Sequence, residues 1–451
     1  MFYNLNEIEN REDFSDYDVC VAGTGPAGIT VAIKLEQAGN RVALLEAGDI
    51  TPTQKSQEAS QGNSAGSVEY WGIQCRSRYF GGSSNCWSGM TRILSEYDLG
   101  DRNYNGIPGW PISSDDLNQY WKEALSILDA DANEFITELP GWQSESFIAD
   151  SWYESPPTKF ATKYGDRIKQ SDLIDCFFNA NVTNVDLHEN SSGVSNFTAK
   201  NLQNKDFRFF ADQFVLACGG LENPRILLNS NQQIDTGVGN QSDYVGRCFM
   251  DSLNVNFGRF VGNRKYWTSN TRKDFYSTTT FLGKNDIGGG NLSLGTAAQP
   301  PLYGRTKELK RLLRDNICKS GFLREKSRLL TDFDCPGDGT TSSMLEQSPN
   351  RNSRIVLGKD RDSYGVPQLE VQWDHEIEIP VGHHCHHMGT TRMASNKRDG
   401  VVDENCCVFG TDNLYMAGSS VFSASGGKNP TGTIVVLSLR LADYLTNKMK
   451  A

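Results

Sequence analysis

Three glycines, Gly23, Gly25 and Gly28, stand between an apolar strand-like run and a helical one, and this arrangement constrains the chain more than any other feature. Tyr17-Asp18-Val19-Cys20-Val21-Ala22 reads as a buried strand. The run from Ile29 to Ala38 reads as a helix that Gly39-Asn40 stops, and Arg41 to Glu46 as a second strand. The whole is one βαβ unit. Glycines at the turn let backbone amides and the helix N-terminus meet a pyrophosphate. Glu46 closes the second strand about 20 residues on, where a carboxylate accepts hydrogen bonds from ribose hydroxyls. A Gly-rich tight turn accounts for the glycines but not for the acid. Dinucleotide binding is therefore expected at Gly23, Gly25, Pro26, Ala27, Gly28 and Glu46.

The 451 residues, 37% hydrophobic and 22% charged, exclude a disordered tail, a coiled coil and a collagen-like repeat. A net charge of −11 argues against a protein that coats nucleic acid. The N-terminal stretch is acidic and polar and no run of 18 apolar residues occurs, so neither a signal peptide nor a membrane span is expected, and the expected location is the cytoplasm. The 11 cysteines lack a C-x-x-C pair and read as reduced thiols, mostly core filler. Neighbouring Cys406 and Cys407 read as packing before a redox pair.

Further along, Asp116 to Leu128 has helical periodicity, 175–200 breaks into strand-sized pieces, and Gln213 to Gly220 is a strand feeding a glycine turn before a helix over Leu221 to Leu228. Leu253 to Val261 reads as a strand, and Gly288-Gly289-Gly290 with Pro300-Pro301 as breakers of a mobile loop. The segment from Gly432 to Leu445 reads as a helix.

Other segments narrow the dinucleotide. A second glycine/serine loop runs Phe80-Gly81-Gly82-Ser83-Ser84-Asn85-Cys86-Trp87-Ser88-Gly89, and Asn413 to Phe422 precedes Gly427-Lys428-Asn429-Pro430-Thr431-Gly432-Thr433. Together with Glu346-Gln347-Ser348-Pro349, Ser353-Arg354-Ile355, His386-His387-Met388-Gly389-Thr390-Thr391-Arg392-Met393 and Gly400-Val401-Val402-Asp403, these resemble the glucose-methanol-choline (GMC) oxidoreductase family, in order from about residue 16 to the end. The resemblance implies FAD as cofactor and a sugar- or polyol-oxidising activity. It places FAD also at Gly82, Ser83, Asn85, Cys86, Trp87, Val182, Ala217, Gly418, Ser419, Asn429, Pro430 and Thr431. Members that tether FAD carry His before the Trp of the second glycine loop; here Cys86 stands there, which excludes a histidyl linkage and favours non-covalent FAD over a cysteinyl bond. Gly432 replaces a larger apolar residue and is expected to widen the site.

Gly382-His383-His384-Cys385-His386-His387 holds four of the six histidines, yet lacks the spacing of a metal helix or a matched Cys partner, and alcohol oxidation by a flavin needs no metal. No metal is expected. Oxidation moves a hydride from carbon to flavin and a proton from oxygen to a base, a role for a neutral imidazole. The family pattern puts the base on His386 and the orienting partner on Asn429, with Gln347 and His387 near the substrate. The helix beginning at Thr431 adds a positive dipole.

Residues 305–328 carry nine basic residues against three acidic, with Leu309, Leu312, Leu313 and Ile317 on one side. This stretch suits an anionic or carrier-linked sugar substrate, a partner or an anionic membrane, or is an ordinary solvated helix face.

The expected fold is α/β: a Rossmann-like FAD domain from 1–110, 170–250 and 384–451, interleaved with an α+β substrate domain on an antiparallel sheet from 111–169 and 251–383. The expected function is FAD-dependent oxidation of a secondary alcohol of a sugar, aminocyclitol or related polyol, with electrons passed to O2 or a redox partner. The alternatives are a non-sugar alcohol oxidase or dehydrogenase, a non-oxidative lyase of the same family, and a nicotinamide-linked dehydrogenase, which would not need the second glycine loop.

Overall fold

The structure, a computed structural model, describes residues 1–66, 69–100, 102–131, 144–149, 153–189, 192–262, 267, 272–296, 307–323, 326, 335, 337–374 and 381–451. Its first sheet is centred on the strand Asp13–Ala22, whose last four residues are buried on both faces, the pattern of a parallel strand covered on each side. Parallel neighbours are Val42–Leu45 on one side and Asp206–Leu216 on the other. Ile174–Phe178 and then Phe2–Asn4 continue in parallel beyond the first. Beyond the second, Val194–Lys200 and Asn181–Leu187 turn back antiparallel, and Leu414–Met416 joins its end in parallel. The helix Pro26–Gln37 starts with Pro in its first turn, where no donor is lost, and packs on this sheet and on the C-terminal helix Thr431–Lys450.

A second sheet is antiparallel throughout, in the order Gly382–His383, Leu253–Val261, Asp338–Leu345, Asn291–Thr296, Arg272–Ser277, Phe147–Ala149. The α/β class and the interleaved antiparallel sheet are as the sequence implied. Two connections cross the expected segment boundaries. Gly62–Ser64 pairs with Pro367–Gln372 in a separate small sheet, and the helix Trp121–Ile127 packs against the C-terminal helix.

Local expectations fare unevenly. Leu253–Val261 is a strand with the bounds read from the sequence. The helix expected over 116–128 is two, Ser114–Asn118 and Trp121–Ile127, joined by a tight turn in which the Tyr120 amide donates to the Leu117 carbonyl at 3.0 Å. Pro300-Pro301 lies outside the described residues, but Gly288–Gly290 is no free loop: the Gly289 amide donates to the buried Glu346 carboxylate at 2.7 Å and its carbonyl accepts from the Glu346 amide at 2.8 Å.

The cysteine expectation needs correction. Cys75 is bonded to Cys385, 310 residues away, and Cys318 to Cys335. No local spacing signals such partners, because the fold alone brings them together. Cys406 and Cys407 are unpaired, the first buried, as the packing reading had it. Among the described residues no helix is long and apolar enough to cross a membrane.

Candidate active site

A cavity of about 1040 Å³ lies between the two sheets, at the upper end of the range usual for small-molecule sites, roughly 300–1,000 Å³. The first sheet contributes its glycine turn. Gly23 has φ +105°, a left-handed conformation that favours glycine, and its amide donates to the Leu45 carbonyl at 2.7 Å. Gly28 does not line the cavity; a Cβ there would lie 1.8 Å from the Gly23 carbonyl oxygen, so it serves the close approach of helix and turn. Gly25 is different. It lines the cavity in an extended conformation at the helix N-cap, no side chain caps the helix, and a Cβ there would meet nothing within 4 Å. A helix N-terminus left open in this way fits the pyrophosphate of a dinucleotide.

Glu46 also lines the cavity and is buried. Burial pushes its carboxyl above the usual range, while the Thr24 hydroxyl and the Gly48 amide, both donating to it, pull the other way. Pro26, Ala27, Val182, Ala217, Gly418 and Ser419 line the same space, as do Gly82, Ser83, Cys86 and Trp87 of the second glycine loop. Asn85 does not: its amide turns back to the Phe80 carbonyl at 2.9 Å and holds the loop. Cys86 is exposed, with its sulfur 3.4 Å from the Ser83 carbonyl.

The chemistry-bearing turn is 383–387. Its anchor, absent from the sequence reading, is Asp251, a fully buried carboxylate just before the strand Leu253–Val261. Asp251 Oδ1 accepts from the backbone amides of His384 at 3.1 Å and His386 at 3.0 Å, and Oδ2 accepts from the Tyr70 hydroxyl at 2.5 Å. Ser252 next to it pairs its hydroxyl with His386 Nδ1 at 2.9 Å. The Cys75–Cys385 bond ties the same turn to the segment after Trp71–Gln74. No motif marks Met250-Asp251-Ser252; its role shows only once strand and turn are adjacent.

His386 keeps part of its surface open to the cavity although protein surrounds it. Burial pushes its imidazole down to about 4, with Asp251 acting in the opposite sense. His387 is also pushed down to about 4 by burial, and its Nε2 lies 3.0 Å from the Gly72 carbonyl. Both rings are therefore neutral at neutral pH. The unfolded chain takes up a proton at each near pH 6.5 and the folded chain only near 4, so folding stability is full above 6.5 and falls as pH drops between those values. Replacing His387 by Gln should flatten that part of a thermal-melting profile against pH; an unchanged slope would mean the ring is already charged in the folded state.

Asn429, Pro430 and Thr431 line the cavity, and Asn429 Nδ2 donates to the Met90 carbonyl at 3.1 Å. The preceding Lys428 is buried against Asp98, which fixes the turn. Gly432 does not widen the cavity. Its amide donates to Thr91 Oγ1 at 2.7 Å and a Cβ would lie 2.9 Å from the Trp121 ring, so the missing side chain lets the C-terminal helix sit against both. Gln347, expected near the substrate, lies behind the wall: it is buried, and its Oε1 accepts from the Asp251 amide and the Trp373 indole, both at 3.0 Å.

The second sheet adds Asn254, Arg272, Asn291, Ser293 and Ser342, a polar wall that the sequence reading missed because these residues alternate along separate strands. No described residue of 305–328 lines the cavity. Among the described residues no group of three or more His, Cys, Asp or Glu is placed to hold a metal ion.

Residues 343–438, the stretch that holds both His386 and Asn429, match the model of the family GMC oxidoreductase. The fructose dehydrogenase large subunit of Gluconobacter japonicus is 28% identical over 54% of this chain, and the match spans about half, 48%, of that relative. The 2-methyl-1,2-propanediol dehydrogenase of Mycolicibacterium austroafricanum is 21% identical over 96% of this chain and 95% of its own. Among solved structures, pyridoxine 4-oxidase from Mesorbium loti superposes with a TM-score of 0.59 at 15% identity, over 95% of this chain and 99% of that one, a likeness of fold. The glycine turn, the second glycine loop and the C-terminal segment thus sit in one fold with the matched region, and the chain is similar to the GMC oxidoreductase family.

Proposed function

We propose that the chain oxidises a secondary alcohol of a sugar, aminocyclitol or related polyol to the carbonyl compound, with FAD held non-covalently. The observation that carries this reading is His386: a neutral imidazole, tied through Nδ1 to Ser252, facing the cavity that the open helix N-terminus at Gly25 also faces. GMC oxidoreductases bind FAD, which when bound supplies the acceptor for the hydride that leaves the carbinol carbon. The grip on it comes from the Gly25 turn, Glu46, the loop from Gly82 to Trp87 and the helix beginning at Thr431. We assign this grip to 1–110, 170–250 and 384–451, and the substrate cover to 111–169 and 251–383.

With Nδ1–H donating to the Ser252 hydroxyl, Nε2 of His386 carries the lone pair and takes the hydroxyl proton of the substrate. Burial favours the neutral ring, so the base is ready at neutral pH. Asn429, fixed through one amide hydrogen on Met90, holds the same oxygen with its remaining polar groups and orients the C–H bond. It accepts no proton. Asn429→Ala should therefore slow anaerobic flavin reduction by about tenfold, the worth of one well-made hydrogen bond.

Asn254, Arg272, Asn291, Ser293 and Ser342 suit a substrate with several hydroxyls, and fructose and 2-methyl-1,2-propanediol in the relatives' names are polyols. The test is anaerobic bleaching of the flavin by a panel of sugars, cyclitols, nucleotide sugars and simple alcohols. Bleaching by a polyol supports the reading; a chain that holds no flavin, or a flavin that only simple alcohols bleach, overturns it. Acid precipitation should leave the yellow flavin in solution. Flavin retained in the pellet would contradict the non-covalent grip, and its persistence in Cys86→Ser would exclude that thiol as the attachment.

A further inference from the structure

The basic stretch that the cavity does not use has a face of its own. In the helix Lys307–Lys319, Leu312 and Leu313 belong to the apolar stripe that in a globular protein ordinarily turns to the core, yet they are 58% and 55% exposed. Just beyond, Phe322 is 68% and Leu323 46% exposed. Cys318, by contrast, is buried and bonded to Cys335, whose amide donates to the Asp338 carboxylate at 3.1 Å at the start of the strand Asp338–Leu345. The end of the helix is thereby fastened to the second sheet while Leu312 and Leu313 face outward.

We propose that the surface formed by Leu312, Leu313, Lys319, Phe322, Leu323 and Lys326 docks the protein on an anionic lipid membrane. Charge complementarity selects the occupant. The chain as a whole carries −11, whereas 305–328 holds nine basic residues and three acidic ones, and Lys319 and Lys326 stand exposed beside Phe322 and Leu323. Exposed apolar side chains with cations beside them suit the headgroup layer, with the apolar groups in the acyl boundary and the cations on the phosphates. Since the patch lies outside the cavity, docking leaves the reaction with a soluble substrate untouched.

The experiment is co-sedimentation of the purified full chain with vesicles of phosphatidylcholine alone or mixed with phosphatidylglycerol, over a salt series, with sedimentation velocity of the protein alone in parallel. Binding to the anionic vesicles should exceed binding to the neutral ones by at least tenfold and weaken as salt rises. Leu312→Gln with Leu313→Gln should reduce it by roughly tenfold or more. Lys319→Gln and Lys326→Gln should each reduce it by roughly fivefold, as expected for one cation near a charged leaflet. Flavin content and melting temperature report that each variant is folded. Equal binding to both vesicle types, no binding to either, or a leucine variant that binds like the parent would overturn the proposal. So would self-association without vesicles that the leucine variant abolishes, which would make a second copy the occupant.

Discussion

His386→Ala should retain FAD and the fold and yet slow anaerobic flavin reduction by roughly 10²- to 10⁴-fold, the usual contribution of a positioned general base. The fold should survive because Asp251 grips the turn through the backbone amides of residues 384 and 386, which alanine keeps. The Cys75–Cys385 bond and the Tyr70–Asp251 hydrogen bond are equally untouched. Only the imidazole and its bond to Ser252 disappear. Stopped-flow reduction at saturating substrate measures the effect, and flavin absorbance with the melting temperature controls for folding. In the parent the rate should be level at neutral pH and fall as pH drops through about 4, where His386 takes up a proton and can no longer accept one. The alanine variant should lose that limb. A variant that is still reduced rapidly would move the base elsewhere, and His387, whose Nε2 faces the Gly72 carbonyl, is the first to examine.

Gly25→Val should weaken FAD binding without unfolding the protein. Its backbone is extended, a conformation open to any residue, and a Cβ meets no protein atom within 4 Å, so nothing in the chain itself objects to the side chain. An added isopropyl group would enter the space in front of the helix N-terminus. Crowding of this kind costs about 1–3 kcal/mol, or roughly 5- to 150-fold in the dissociation constant for FAD. Titration of the apo-protein with FAD, followed by flavin fluorescence, gives the number. The control is Gly28→Ala, whose Cβ would press on the Gly23 carbonyl from 1.8 Å and should lower the melting temperature of the apo-protein as well. Unchanged FAD affinity in Gly25→Val would mean that the cofactor does not approach this turn.

These two glycines also show what a sequence can and cannot disclose. The βαβ unit was legible because its signals are local: two short apolar runs, a glycine turn, a helical period and a terminal acid all fall within residues 17–46. Their separate duties, one against protein and one facing a cavity, depend on what packs nearby. The helix expected over 116–128 was misjudged because periodicity reports where side chains point, and that direction survives a tight turn that breaks the hydrogen-bond ladder. Asp251 and Ser252 stand more than 130 residues before His386 and carry no motif, so only the pairing of Leu253 with His383 reveals them. The cysteine partners of 75 and 385 were invisible for the same reason. Gln347 was recognisable as part of a family pattern, but its duty behind the wall, supporting the Asp251 amide, follows only from its neighbours.

Asp251 has one more consequence. His386, the proposed proton acceptor, hangs from the start of a strand in the antiparallel sheet, whose Asn254, Arg272, Asn291, Ser293 and Ser342 face the cavity, whereas Asn429 is held from Met90. On that proposal the polar wall and the base share one frame, and Asn429, the proposed orienting amide, belongs to another. Exchanges along the polar wall can alter which molecule is accepted while the imidazole keeps its register with whatever is bound there. Exchanges around Met90 or Lys428 would instead tilt the hydroxyl against a fixed base, changing turnover more than selectivity. Divergence of substrate range is thus separable, in this architecture, from loss of catalytic power.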